Sequence, residues 1–156
     1  FVAYTTIINA LGSSHPELKP YEEADLELVT TDPGIRDIPN LMRINFITEP
    51  SFFFEPKKPF VQTLHPGDYL GYFQFSSIQD SKLPTLLMFY DSFGFTYLNN
   101  YLSMNFGKSH FIHNSSMLKY LTQESIQQFK PDVIVIEIAE RDLEQLVNYL
   151  SNFASE

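Results

Sequence analysis

The run Leu86-Leu87-Met88-Phe89-Tyr90 ends abruptly on Asp91-Ser92-Phe93-Gly94, placing an acid, a hydroxyl and a glycine behind five apolar residues. A continuous apolar run of this length fits a buried central strand better than one alternating between core and water. Downstream, Phe95, Leu98 and Leu102 recur at i, i+3 and i+7 with Tyr101 beside them, so strand gives way to amphipathic helix. The spacing predicts a strand over 85–90 and a helix over 92–104, with Ser92 on the turn between them. A hydroxyl on such a turn stands over the carboxyl edge of a sheet, at a helix start whose N–H groups favour developing negative charge. That placement suits a nucleophile. It equally suits a helix N-cap, the commonest use of Asp and Ser at such turns.

Each potential partner of Ser92 also has two readings. A serine hydroxyl needs a base to take its proton, and the sequence holds four imidazoles, His15, His65, His110 and His113. His15 precedes Pro16 in a polar connection, His65 precedes Pro66-Gly67, and His110 and His113 flank the short apolar run after the Ser92 helix. Structural or solvent-facing roles are expected for all four, with His113 and His65 the alternatives as base. Asp91 is expected to orient the turn by accepting backbone N–H bonds. The amides of Ser92, Phe93 and Gly94 are the candidate oxyanion donors. Glu140 and Arg141, after the last strand, either contact substrate or form an ion pair fixing a helix start.

Two further strands and their helices must position this turn. "SHFIH" reads as a short strand and "MLKYLTQESIQQF" as a helical stretch ended by Lys130-Pro131. "DVIVIEI" is a second apolar strand, and Leu143, Leu146, Val147, Leu150 and Phe153 form the expected buried stripe of a closing helix. Alternating β and α units imply a parallel sheet with helices on both faces, and ligands bind at the carboxyl ends of such strands. At the other end of the sequence, Phe1, Tyr4, Ile8 and Leu11 share one helix face up to Gly12. Residues 25–80 carry short runs cut by Pro and Gly. These predict a strand at Leu26–Val29, a turn at Asp32-Pro33-Gly34, a helical turn around Ile38 to Met42, and edge strands and hairpins. Phe52 to Phe54 is read as a buried strand, with an exposed aromatic platform for a sugar as the alternative.

Composition narrows the function classes. The 156 residues suffice for one domain with a real core. A net charge of -9 disfavours phosphate backbones, so no nucleic-acid partner is expected. Without cysteine, and with four scattered His, there is neither a disulfide framework nor a metal-ligand spacing, so no cofactor or metal is expected. No stretch approaches the roughly 20 apolar residues of a membrane span.

The segments "LLMFYDSFGFTYLNNYLSMNFGKSHFI" and "IQQFKPDVIVIEIAERDL" resemble the C-terminal half of the SGNH hydrolase-like domain of the alginate O-acetyltransferase family. The shared features are an apolar strand into Asp-Ser-Phe, a Lys-Pro-Asp strand and a following Glu-Arg-x-Leu. "FVAYTTIINALGSSHPELKP" is similar to the helix and loop that follow the family's Asp-x-His-Trp motif. The resemblance implies a three-layer SGNH/flavodoxin-like parallel sheet and a single domain, residues 1–156, whose N-terminal part lies before Phe1. It implies acetyl transfer to hydroxyls of a cell-envelope polysaccharide through Ser92, with base and orienting carboxylate upstream of Phe1. It also implies an extracytoplasmic location and a membrane-bound acyltransferase that supplies acetyl groups. An esterase, or a non-catalytic carbohydrate-binding or assembly module drawing on the 15 Phe and 9 Tyr, are the rival readings.

From the charge and ligand spacing, a low-salt mobility-shift assay is expected to retain no duplex DNA, and metal analysis to find only substoichiometric transition metal. Stoichiometric binding of either contradicts this reading.

Overall fold

The computed structural model describes residues 1–30, 48, 50, 52–65, 72–77, 80, 82–91 and 94–153, with the backbone alone for residues 96, 97, 118, 141, 145, 149, 152 and 153. Ser92 and Phe93, and the expected turns at 32–34, 38–42 and 66–67, lie outside the described residues. The chain forms two compact units, one of Phe1 with Tyr21–Lys58, the other of Val2–Pro20 with Pro59–Glu156.

In the smaller unit, β1 (Leu26–Thr30) pairs antiparallel with β2 (Phe52–Pro56), from Leu26 opposite Pro56 to Thr30 opposite Phe52. A 3₁₀ turn at Glu23–Asp25 precedes β1, and the Lys57 amide donates to the Asp25 carbonyl at 3.0 Å. The Phe1 ring lies 5.3 Å from that of Phe54. Phe52 is 62% exposed and Phe53 and Phe54 are half-buried, so Phe52 to Phe54 is a strand but not a buried one. Two strands alone present more apolar surface than they can cover.

The larger unit is mixed α/β, built on a five-stranded sheet in the order β3-β4-β6-β5-β7. Its strands are β3 (Val61–His65), β4 (Tyr72–Ser77), β5 (Thr85–Tyr90), β6 (Lys108–His113) and β7 (Val133–Ile136). β5 lies between β6 and β7 and runs parallel to both, as its apolar run predicts. The sheet as a whole is mixed, which corrects the expectation of a parallel one. β4 is antiparallel to β6, and β3 to β4. Connection length explains the reversal, because a parallel crossover needs about a dozen residues or more. The segment from Ser77 to Thr85 is too short for one, so β5 starts at the sheet end where β4 finishes. There the Ser77 amide donates to the Gly107 carbonyl at 3.0 Å and the Gly107 amide to the Pro84 carbonyl at 3.0 Å.

Helix α1 (Val2–Leu11) buries Tyr4 and Ile8, as its periodicity requires. The Tyr4 hydroxyl donates to Asn105 Oδ1 at 2.6 Å. The single helix expected over 92–104 is instead a π-helical turn at Gly94–Leu98 running into α2 (Asn99–Ser103). The helical stretch after β6 breaks at Leu121-Thr122 into α3 (Met117–Tyr120) and α4 (Gln123–Phe129). Thr122 makes the break favourable, its hydroxyl capping the Ser125 amide at 3.2 Å. At the other end of α4, Lys130 takes the left-handed conformation (φ 47°) before Pro131.

Leu87, Phe89, Ile112 and Met117 form a core on one sheet face, with Ile126, Phe129 and Leu146 packed around them. Leu146 belongs to α5 (Leu143–Phe153). Contrary to the stripe read from the sequence, Leu143, Val147 and Leu150 are exposed. β7 is the outermost strand and its Ile134 is also exposed, so α5 has little sheet beneath it.

Leu87→Ala is expected to cost about 2–5 kcal/mol in urea denaturation, because the side chain is fully buried. Leu28→Ala, at an exposed position, is expected to stay within about 0.5 kcal/mol of wild type.

Candidate functional site

The parallel register of β5, β6 and β7 brings three chain exits to one edge of the sheet. Tyr90 stands opposite His113, and Ile136 opposite Phe89, so Glu137 is the first residue beyond β7. The Glu137 amide donates to the Phe89 carbonyl at 2.9 Å, and its carbonyl accepts from Asn114 Nδ2 at 2.6 Å. Its side chain turns to the end of β5. Glu137 Oε2 accepts the Asp91 amide at 3.3 Å, and the carboxyl also accepts the Gly94 amide and hydrogen-bonds the Asp91 carboxyl. The Asp91 carbonyl in turn accepts the Phe95 amide at 3.3 Å. Main chain on both sides of positions 92 and 93 is thus tied to one carboxyl group.

Burial, then the neighbouring Asp91 charge, pushes the Glu137 carboxyl up to about 7, against the pull of the Asp91 and Gly94 amides. A proton held on Glu137 is what a hydrogen bond between two carboxyls requires. Gly94 is required as glycine, because a Cβ there would collide with Glu137 Oε2 and crowd Tyr90 Cβ at 3.1 Å.

His113 stands at the same edge, its ring 5.4 Å from that of Tyr90 and perpendicular to it. Burial pushes its imidazole down while the Asp91 charge opposes. His113 Nδ1 accepts the Ser115 amide at 3.1 Å, capping the 3₁₀ turn Asn114–Ser116. The neutral ring therefore carries its proton on Nε2, which leaves that nitrogen no lone pair for a serine hydroxyl.

The other imidazoles lie elsewhere. His110 is opposite Gln74 and two residues from Tyr72's partner Ile112, which puts it with Tyr72 on the sheet face away from Tyr90 and His113. His65, Tyr72 and His110 form a ring stack there, with centroids 5.2 and 5.9 Å apart, and Phe129 lies tilted against His110 at 4.6 Å. The Tyr72 hydroxyl lies 2.6 Å from His110 Nδ1. Burial pushes His110 down to about 4, aided by Lys108, and raises Tyr72 to about 12. His15 Nδ1 sits 3.2 Å from Glu17 Oε1 just beyond α1.

The structure joins Asp91 and Gly94 in one cluster. Ser92 and Phe93, and the Arg141 side chain, lie outside the described residues, and Glu140 is exposed at the start of the 3₁₀ turn Glu140–Asp142. Glu137 was not singled out in the sequence. Its signal was a lone acid at the end of the apolar run Val133-Ile134-Val135-Ile136. Beside the turn, Phe73, Phe75, Phe95, Asn99 and Asn100 line a cavity of about 250 Å³. Phe95 stacks on Tyr90 at 6.3 Å and meets Phe73 at 5.6 Å. Asn99 Oδ1 is buried without a hydrogen-bond partner. Among the described residues no three His, Asp or Glu converge as a metal would require, and no helix is long and apolar enough to cross a membrane.

The sequence matches no protein-family model and no curated protein. The fold is similar to PatB1 of Bacillus cereus in two solved structures. The one carrying a sulfonyl adduct has a TM-score of 0.68 and 14% identity over 92% of this chain and 57% of PatB1. The other has a TM-score of 0.68 and 13% identity over 92% and 59%. This chain therefore spans less than two thirds of the PatB1 chains it resembles. At such identity the likeness is one of fold, and it does not single out the alginate O-acetyltransferase relatives.

Glu137 and His110 predict opposite pH effects on stability. The raised Glu137 carboxyl makes the native state bind more protons than the unfolded chain, so its contribution is full below about 4.5 and lost as pH rises through about 7. The lowered His110 contribution is present above about 6.5 and lost as pH falls through about 4. Urea denaturation of Glu137→Gln is expected to lack the decline between pH 4.5 and 7 and to keep the acid-side loss. An unchanged decline contradicts the assignment.

Proposed function

We propose that this chain carries the nucleophile of an O-acetyltransferase acting on a cell-wall polysaccharide, with Ser92 as the acyl-bearing residue. The observation that carries the reading is a conjunction. The chain folds like PatB1, a peptidoglycan O-acetyltransferase, over nine tenths of its length. Its Asp-Ser-Phe-Gly sequence begins at the carboxyl end of the strand paired on both sides in parallel. Such an edge is where α/β folds place ligands. The sulfonyl adduct of PatB1 supports the same chemistry, because a sulfonyl electrophile is captured by a nucleophilic side chain.

In the proposed reaction Ser92 Oγ attacks the acetyl carbonyl of a donor, and its proton passes to a base. The tetrahedral intermediate collapses, expelling the donor's leaving group and leaving an acetyl ester on Ser92. A sugar hydroxyl then attacks that ester, and the serine recovers its proton. Neither His113, whose Nδ1 caps the Ser115 amide, nor His65 and His110, each stacked on Tyr72, supports a role as that base. The reading inferred from the resemblance is retained: a His from an Asp-x-His motif outside this chain, a three-layer SGNH arrangement, an extracytoplasmic location and a membrane-bound acyltransferase as acetyl source. The aromatic cavity of Phe73, Phe75 and Phe95 beside the turn supports a sugar ring or acyl group as its occupant.

The test is acetyl-ester release by the protein as encoded, with intact-mass detection of the acyl-enzyme. Ser92→Ala is expected to lower turnover by on the order of 10⁴-fold and to abolish the adduct. His113→Ala is expected to stay within about tenfold, with a loss near 1 kcal/mol in stability from the missing cap. Undiminished activity in Ser92→Ala overturns the nucleophile assignment.

A further inference from the structure

We propose that Glu137 is the positioning residue of the nucleophile turn, its carboxyl holding the main chain on both sides of Ser92 and sharing a proton with Asp91. The inference rests on Ser92 being the nucleophile proposed above. The geometry itself comes from residues outside the Ser92-Phe93 pair.

Three contacts converge on one carboxyl group: the Asp91 amide at 3.3 Å, the Gly94 amide and the Asp91 carboxyl. The group is itself anchored. Its main chain is fixed to Phe89 by the Glu137 amide and to Asn114 by the Glu137 carbonyl. The absence of a side chain at Gly94 leaves the space that Glu137 Oε2 fills. Alanine at 94 would expel the carboxyl, so the glycine and the acid work as a pair. An N-cap acts from within its own helix. This acid reaches across from a neighbouring strand, and so couples the turn to β7.

The arrangement needs one proton on the two carboxyls. That proton sits on Glu137 and is donated to Asp91, while the Glu137 oxygens accept the two amides. Among the described residues, the charge that acts on it is that of Asp91 at the end of β5, and His113 at the end of β6 interacts with that same Asp91 charge. When Glu137 loses its proton to solvent, two like charges face each other at the turn and the carboxyl–carboxyl bond is gone. Burial and the Asp91 charge set the Glu137 midpoint at about 7. Positioning of Ser92 therefore weakens as pH rises through neutrality. Glutamine at 137 mimics the protonated state, since its amide oxygen accepts N–H bonds and its NH₂ donates to Asp91.

Two readouts on the protein as encoded test this. The first is the pH titration of the Asp91 and Gly94 backbone amide signals by NMR. Wild type is expected to show a shared inflection near pH 7 that is absent from Glu137→Gln. Flat amide signals in wild type, or an inflection surviving in Glu137→Gln, overturn the clamp whatever Ser92 does. The second is the rate of Ser92 labelling by phenylmethanesulfonyl fluoride, divided by the rate of a free-serine reference at each pH. Glu137→Gln is expected to keep the wild-type rate within about threefold and lose the fall near neutrality. Glu137→Ala is expected to lose on the order of tenfold or more, as removal of hydrogen bonds to a charged or buried group does. Wild-type labelling in Glu137→Ala overturns the proposal. No label at Ser92 in any variant contradicts the proposed function instead, and the NMR arm still decides the clamp.

Discussion

The larger unit depends on β5 being hydrogen-bonded on both edges to strands running the same way. A strand so placed has no solvent side, and Leu86 to Tyr90 are accordingly all buried. Because parallel neighbours end at a common level, the same constraint gathers Asp91, His113 and Glu137 at one rim. No contact among them needs sequence proximity. The polar cluster is a consequence of register, and a one-residue slip would turn Glu137 to the opposite face.

That rim combines features a nucleophile site needs, and each has a physical cost that its neighbours offset. Burying Glu137 would be unfavourable as an anion beside Asp91, and the retained proton removes the repulsion. Gly94 gives up side-chain packing, and the carboxyl fills the space. The π-helical turn that begins at Gly94 departs from regular helix geometry, a departure common at functional sites. It leads into α2, whose Asn99 lines the aromatic cavity and has a buried amide oxygen without a hydrogen-bond partner.

Much of this was legible in the residues because two periodicities are strong there. Leu86 to Tyr90 and Val133 to Ile136 read as apolar strands, the first fully buried and the second buried only at Val133, and Tyr4 and Ile8 read as one helix face. An edge hairpin was expected and β3 and β4 form one, but the direction of β4 against β6 was not legible, since it follows from connection length and pairing rather than from side-chain pattern. The α5 stripe failed for a related reason: amphipathicity says which face is apolar but not whether a partner covers it, and β7 is an edge strand. His110 and His113 look equivalent as the polar ends of one apolar run. Their separation onto opposite faces comes from the period of the strand and becomes informative only once β6 is paired. Glu137 escaped notice because an acid closing an apolar strand gives no local hint of the chain it will meet.

The central claim is that Ser92 is a nucleophile on a turn held by Glu137. The most direct measurement is a crystal structure of the protein after reaction with phenylmethanesulfonyl fluoride. The account predicts sulfonyl density on Ser92 Oγ, with the Glu137 carboxyl in hydrogen-bond reach of the Asp91 and Gly94 amides. An adduct on another side chain, or a Glu137 carboxyl turned away from the turn in the labelled protein, would contradict it.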